Sequence, residues 1–487
     1  MVRGKYTNRR VHRGTKDFLK KVNEQNICDF RNETFQVDGN GFVKRLNSGI
    51  LSLFQLTTIH GVGYLTRRGL HFIERLLWIV CICIAIYGTA SLAQRTWNRF
   101  QTSPMVISVD RNKFMWNTSF PGLTVCLHKR IDDAKLEAAR PMTFATDEDR
   151  KEFTAFIEKL SNATFENYEQ LPMNRTFNID SSEYLDLLWN LSFAFRPELN
   201  SGTVYKLYLQ ETITELGICY AINSKIAAYN SFRYWQENRW DFMKMNDTIA
   251  VHPLDGEIYA QVINLSYAYE VYFHGPAEIP DISKQRYSFP AADYTTVELL
   301  ALEILTSESA KSLSTSQRQC RFAHEADVLE TSPIYSFNLC QNECRLRLAL
   351  KKCDCIPHFY RSRTKHGQRY RVCDFDGIRC LAEIKDELIS LKSKRMQIDC
   401  NCLANCDDSN FFVKSYRSRT WFLGSNLQWG ISEYPKLQLK RDLIFGFTDL
   451  LVYIGGMAGF FLGCSLLNLT ELLYLITWRF YKKIANH

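Results

Sequence analysis

Two long apolar runs constrain this chain more than anything else in it. Leu76–Leu92 is seventeen residues without a charge, and Leu450–Trp478 is twenty-nine residues with one charge, Glu471. A helix of about 20 apolar residues spans a bilayer, so each run is a candidate membrane helix. The competing reading is a pair of buried core helices. The first run begins at residue 76 behind a mostly polar segment. That is too far in for a cleaved leader, so it is expected to act as an uncleaved anchor.

Charge gives the expected orientation. Residues 1–71 carry thirteen Lys/Arg against five Asp/Glu, and Arg479, Lys482 and Lys483 follow the second run. The segment between the runs is slightly acidic. Both termini therefore read as cytoplasmic and the long loop as extracellular, although Arg95 and Arg99 sit just outside the first run. The basic N-terminal segment lacks the interleaved aromatics and fold motif of a nucleic-acid binder, and no nucleic-acid partner is expected.

The chain has sixteen cysteines, of which ten fall between Cys320 and Cys406. Dense, even-numbered cysteines in an outside segment read as a disulfide framework. Cys353-Asp354-Cys355 and Cys400-Asn401-Cys402 are C-x-C pairs rather than the C-x₂-C pairs of common zinc sites, and no metal is expected. Cys28, Cys81, Cys83 and Cys464 are left free. Asn117, Asn162, Asn174, Asn190, Asn246 and Asn264 are loop sequons and candidate glycan sites, whereas the sequons at Asn32 and Asn468 fall in cytoplasmic and membrane segments. Within the loop, Ile131–Leu160 reads as helical. Tyr205–Leu209 and Tyr259–Phe273 read as strands, and Tyr294–Leu313 and Leu339–Lys352 as helices. Nucleophile-elbow and zinc-protease motifs are absent from the sequence, so no enzyme is expected.

The second run is unusual inside. As one helix at 1.5 Å per residue it would span about 43 Å against roughly 30 Å of hydrocarbon. It must tilt, break or protrude. Gly455, Gly456, Gly459 and Gly463 offer close packing, the ordinary role of small residues between membrane helices. Gly463-Cys464-Ser465 can also be read as a non-helical step whose carbonyls face a cation path. Glu471 costs about 3 kcal/mol at membrane depth and should face a lumen, a partner or, by snorkelling, the interface.

Ile454-Gly455-Gly456-Met457-Ala458-Gly459-Phe460-Phe461-Leu462-Gly463-Cys464-Ser465, followed by Glu471, resembles the second membrane helix of degenerin/epithelial sodium channels. Three further segments carry the likeness in order: His60-Gly61 before the first run, Phe120-Pro121-Gly122-Leu123-Thr124-Val125-Cys126 after it, and Leu216-Gly217-Ile218-Cys219-Tyr220. The resemblance covers about residues 55–478, and within the family it points to the insect pickpocket branch.

The resemblance implies an α+β membrane protein with two transmembrane helices. These would flank a large disulfide-rich extracellular domain with a β-rich centre and peripheral helices. The implied segments are a cytoplasmic part (1–71), a first membrane helix (72–94), the ectodomain (95–449), a pore-lining helix (450–478) and a short cytoplasmic tail (479–487). It implies a nested disulfide set: Cys126–Cys219, Cys320–Cys406, Cys340–Cys402, Cys344–Cys400, Cys353–Cys380 and Cys355–Cys373. It also implies roles: Gly463, Cys464 and Ser465 as selectivity filter, Glu471 as pore carboxylate, and His60, Gly61 and Val452 in gating. The expected protein is a voltage-independent, amiloride-sensitive sodium channel subunit gated through its ectodomain. It would sit in the plasma-membrane bilayer as a homo- or heterotrimer with related subunits. Sodium is the permeant ion, and no cofactor is expected. The sequence departs from the family at Cys464, where Ala or Ser is usual, and at Tyr453, where Asp is common. A non-conducting accessory or receptor subunit, and an ATP-gated type of trimeric channel, remain as alternatives.

Overall fold

A computed structural model describes residues 61–67, 69–139, 147–171, 179–202, 206–243, 247–392, 398–474 and 477–478. His60, Asn174, Asn246 and Cys28 lie outside the described residues. The chain divides into two compact units, residues 97–450 and residues 1–96 with 451–487.

The larger unit is built on two sheets. The seven-stranded sheet runs β1 (Met105–Asp110), β16 (Gln438–Leu443), β11 (Asp293–Thr306), β15 (Ser425–Glu433), β8 (Ile258–Leu265) and β4 (Glu198–Ser201). β14 (Asp408–Thr420) pairs on the other side of β11. The five-stranded sheet runs β10 (Tyr287–Phe289), β9 (Tyr269–His274), β3 (Gly122–Leu127), β6 (Gly217–Ile222) and β5 (Leu209–Thr214). Two short ladders join β2 (Thr118–Ser119) to β7 (Ala250–Val251) and β12 (Cys320–Arg321) to β13 (Ala404–Asn405). Phe120, Leu123, Val125, Val262, Leu299 and Trp429 form a core shared by the two sheets. Trp429 is fully buried, and its indole N–H donates to the Pro121 carbonyl at 3.2 Å. A Cβ at Gly430 would lie 2.3 Å from the Ile258 carbonyl, so β15 and β8 approach where only glycine fits.

A second core gathers helices: α2 (Asp147–Ser161), α3 (Tyr184–Leu191), α5 (Phe337–Cys353) and α6 (Phe375–Glu383), with the short α4 (Phe232–Gln236) on it. In α2, Phe153, Phe156, Ile157 and Leu160 follow the i, i+3, i+4, i+7 spacing of one buried face.

Tyr294–Leu313 is corrected by the structure. Residues 293–306 form the longest strand, β11, rather than a helix. Thr295, Val297 and Leu299 alternate inward, and then the register shifts beside Leu299. Beyond the bulge the next buried positions are Glu303 and Thr306. A bulge of this kind turns a period of two into apparent steps of four and three, which is what mimics a helix.

In the smaller unit, the first apolar run lies in α1, Phe72–Thr102, longer than the 72–94 expected. Polar residues continue the helix past the apolar part until Pro104, which cannot extend it. None of its residues is buried, and among the described residues it is the one helix long and apolar enough to cross a membrane by length and composition. The second run is not one helix over 450–478. It forms α7 (Phe447–Leu462) and α8 (Leu466–Tyr474), separated by residues 463–465. Gly88 of α1 meets α7 closely, since a Cβ there would lie 3.1 Å from the Phe461 ring.

Candidate functional site

The break between α7 and α8 is written by local capping chemistry. Gly463 adopts φ +63°, and its N–H donates to the Gly459 carbonyl at 3.0 Å, a left-handed C-terminal cap. Ser465 then starts α8. Its Oγ accepts from the Asn468 N–H at 3.3 Å and donates to Asn468 Oδ1 at 2.8 Å. Asn468 Nδ2 reaches back to the Gly463 carbonyl at 3.2 Å. Cys464 lies between the two caps, half-buried, with its thiol against the Leu462 carbonyl at 3.8 Å. The structure thus brings Gly463, Cys464 and Ser465 together. Glu471 lies in α8, exposed, six residues beyond Ser465. Asn468 was read only as an idle sequon. The local signal for the helix start is Ser465 itself, an N-cap residue type directly before an apolar run.

Val452 is 73% exposed on α7, away from the break, beside an apolar groove lined by Leu92, Tyr453, Gly456, Met457, Phe460 and Phe461. A Cβ at Gly455 or Gly456 would meet nothing within 4 Å. Gly61 has φ +85° and opens a helical turn, Val62–Thr66. A Cβ there would come within 3.3 Å of Ile82 and 3.4 Å of Trp78, and Tyr64 stacks on Trp78 at 4.5 Å. Gly61 therefore serves both a left-handed turn and a close approach to α1.

In the larger unit twelve cysteines pair as Cys126–Cys219, Cys320–Cys406, Cys340–Cys402, Cys344–Cys400, Cys353–Cys380 and Cys355–Cys373, the pairs the resemblance implies. Cys340 and Cys344 are one helical turn apart on α5, so Cys402 and Cys400 bind the same face of that helix. Cys81, Cys83 and Cys464 are unpaired. Asn117, Asn190 and Asn264 are exposed, whereas Asn162 is half-buried with its Nδ2 donating to the Glu158 carbonyl at 3.1 Å.

Sequence reasoning missed the charged centre of this domain. Arg345 of α5 is fully buried and bridges Glu215, on the β5–β6 turn, at 3.0 Å and Asp281, after β9, at 2.7 Å. Its Nε donates to the Leu388 carbonyl, and the Tyr360 hydroxyl donates to Glu215. Burial pushes the Glu215 carboxyl up, against the pull of Arg345. No local signal marks such a cluster, because Glu215 lies 130 residues from Arg345 and 145 from Tyr360.

Glu278 closes the start of α5. Its carboxylate accepts from the Phe337 N–H at 3.0 Å, the Asn338 N–H at 3.3 Å and Asn405 Nδ2. Burial pushes its pKa up from an ordinary 4.5 to about 7, opposed by the Asn405 hydrogen bond and by Lys284. The folded chain thus holds this proton more tightly than the unfolded chain. This contribution to stability falls as pH rises from 4.5 to about 7 and is flat above. Glu278→Gln should flatten that part of a Tm-against-pH curve of the purified protein. An unchanged slope would remove Glu278 as its source.

The chain thus pairs an apolar helix long enough to cross a membrane with a disulfide-stapled α+β unit. The chain belongs to the amiloride-sensitive sodium channel family, a family of membrane ion channels, whose profile matches residues 53–475. It is 20% identical to pickpocket protein 28 of Drosophila melanogaster over 87% of this chain and 77% of that one. It is 22% identical to pickpocket protein 11 of the same species, covering 89% and 76%. It is 20% identical to the sodium channel protein Nach of Drosophila melanogaster, covering 86% and 85%.

Proposed function

We propose that this chain is a subunit of a sodium-selective, amiloride-sensitive, voltage-independent channel of the plasma membrane, serving sensory or epithelial sodium transport. It would act as a homo- or heterotrimer with related subunits. Both termini are cytoplasmic in this reading, and residues 450–478 form the second, pore-lining span. The observation that carries it is the capped break at Gly463-Cys464-Ser465 inside an apolar run, with Glu471 beyond it on α8. Non-helical backbone at membrane depth is tolerated where it lines a cavity or is buried in protein, and carbonyls freed there can replace the hydration shell of a cation. The uncovered Gly455 and Gly456 leave room for a neighbouring copy of the helix. His60, Gly61 and Val452 set opening in this reading, sodium is the permeant ion, and the exposed sequons carry glycans.

Expression in oocytes tests it. An inward current that disappears on sodium replacement and under amiloride is expected. Cadmium or a thiol reagent should block it, and Cys464→Ala should abolish that block. A current that ignores sodium replacement overturns the sodium channel reading, and an undiminished block in Cys464→Ala removes Cys464 from the pore. Silence alone, with altered current when a related subunit is co-expressed, favours the accessory reading that Tyr453 and Cys464 suggest.

A further inference from the structure

Among the described residues, the most exposed large apolar side chain of the larger unit is Phe422, at 87%. Leu423 beside it is 66% exposed. Both belong to the tip formed by residues 421–424, between β14 and β15. Single exposed apolar residues are ordinary, whereas neighbouring ones held on a fixed base make an interaction surface. This base is fixed. The Trp421 N–H donates to the Ala292 carbonyl at 2.8 Å. Its indole packs on Tyr294 at 5.7 Å, with the Arg419 guanidinium 5.4 Å from the ring centre. The Phe422 ring lies 5.5 Å from Trp421. Gly424, at φ +105°, then turns the chain into β15.

The neighbour of this tip is a sequon. A Cβ on Gly424 would lie 3.6 Å from Asn264 Oδ1, an ordinary contact distance. The Asn264 N–H donates to Asn426 Oδ1 at 2.9 Å, and Leu265 pairs with Ser425 where β8 meets β15. Asn264 and Ser266 of the Asn-Leu-Ser sequon are both exposed. Asn162, by contrast, commits its Nδ2 to the Glu158 carbonyl. Leu423 and Phe422 immediately precede the glycine that Asn264 touches. At 3.8 Å between successive Cα atoms, Phe422 lies at most about 8 Å from that contact, within reach of the first sugars on Nδ2. A pyranose offers an apolar C–H face for an exposed ring and a rim of hydroxyls. Arg419 and Thr420, both exposed beside the tip, supply hydrogen-bonding groups for that rim.

A lipid surface does not fit the tip. Trp421 is tied to Ala292, just before β11 begins, whereas β16, the strand that leads into α7, pairs with β11 only from Ile304 onward. That is about 40 Å further along the strand.

We propose that residues 421–424 are the seat of an N-linked glycan on Asn264, whose first sugars pack their C–H faces on Phe422 and Leu423 and cover them. Attachment forms the bond from Nδ2 to the sugar C1 and breaks the C1–phosphate bond of a lipid-linked oligosaccharide donor. The lipid diphosphate leaves, and Nδ2 loses one proton. The proposal rests on the extracellular reading of this unit under Proposed function and adds to it an occupant for the tip.

The full chain, expressed in cells that N-glycosylate and purified in detergent, tests it. Glycopeptide mass spectrometry should find Asn264 occupied. Ser266→Ala removes that glycan and keeps Asn264, whose φ of +66° suits asparagine. It should lower Tm by about 1–3 °C, the scale of one aromatic contact. In a Phe422→Ser background the same change should leave Tm where it is, because the ring under the sugar is gone. Asn190 is the control, exposed on α3, a helix with no exposed large apolar residue. The effect of Asn190→Gln should not depend on Phe422. Glycans at other sequons but none at Asn264 overturn the proposal and leave the extracellular reading standing, whereas no glycan at any sequon overturns both. Equal losses of Tm in the native and Phe422→Ser backgrounds also overturn it. So does a smaller assembly of the Phe422→Ser protein on size exclusion, which would give the tip to a second copy.

Discussion

Arg345→Met is expected to destabilise the protein by about 3–5 kcal/mol, because it strands Glu215 and Asp281 as buried, unpaired carboxylates. The guanidinium also donates to the Leu388 carbonyl at 3.0 Å and to Asn342 Oδ1 at 3.2 Å, and methionine supplies neither bond. Charge rather than volume carries the loss. A triple variant, Arg345→Met with Glu215→Gln and Asp281→Asn, has no charge to strand and should recover most of the stability. Thermal unfolding of the solubilised full chain measures both. A single variant melting beside the native protein would show that the cluster is not a stabilising centre. A triple variant no better than the single one would show that packing, not charge, sets the cost.

The joint replacement Cys126→Ala and Cys219→Ala is the second large effect. The bond joins the neighbouring strands β3 and β6 and closes a loop 93 residues long. Chain entropy alone gives about 4.6 kcal/mol for such a loop, within the usual 2–5 kcal/mol. Both sulfurs are buried, at 1% and 0% exposure, so their loss also leaves a void in the helical core. The Cys355–Cys373 bond spans only 18 residues and should cost less, about 3.2 kcal/mol on the same reasoning. Tm values of the two double variants check the order. The reverse order would mean that local packing outweighs loop length here.

Much of the fold was legible because its signals are local. The face of α2 and the Phe337–Cys353 helix follow from helical spacing. The cysteine pairing followed from family likeness, since the spacing by itself allows many connectivities. β11 was misread because its register shifts depend on β14 and β15, strands more than a hundred residues away.

The sequence by itself determined that the second apolar run breaks at Gly463-Cys464-Ser465. A glycine free to adopt positive φ and a serine able to cap the next helix act within a few residues, and Asn468 ties them together. The sequence also determined the membrane-length helix, because length and apolarity suffice for that property. Tertiary structure alone decided which charges are buried and whether they are paired. Arg345 and Arg361 are the same residue type sixteen positions apart. Folding buries both, giving Arg345 two carboxylates and Arg361 the Trp240 ring at 3.8 Å, and the cost of a buried charge lies in its partners.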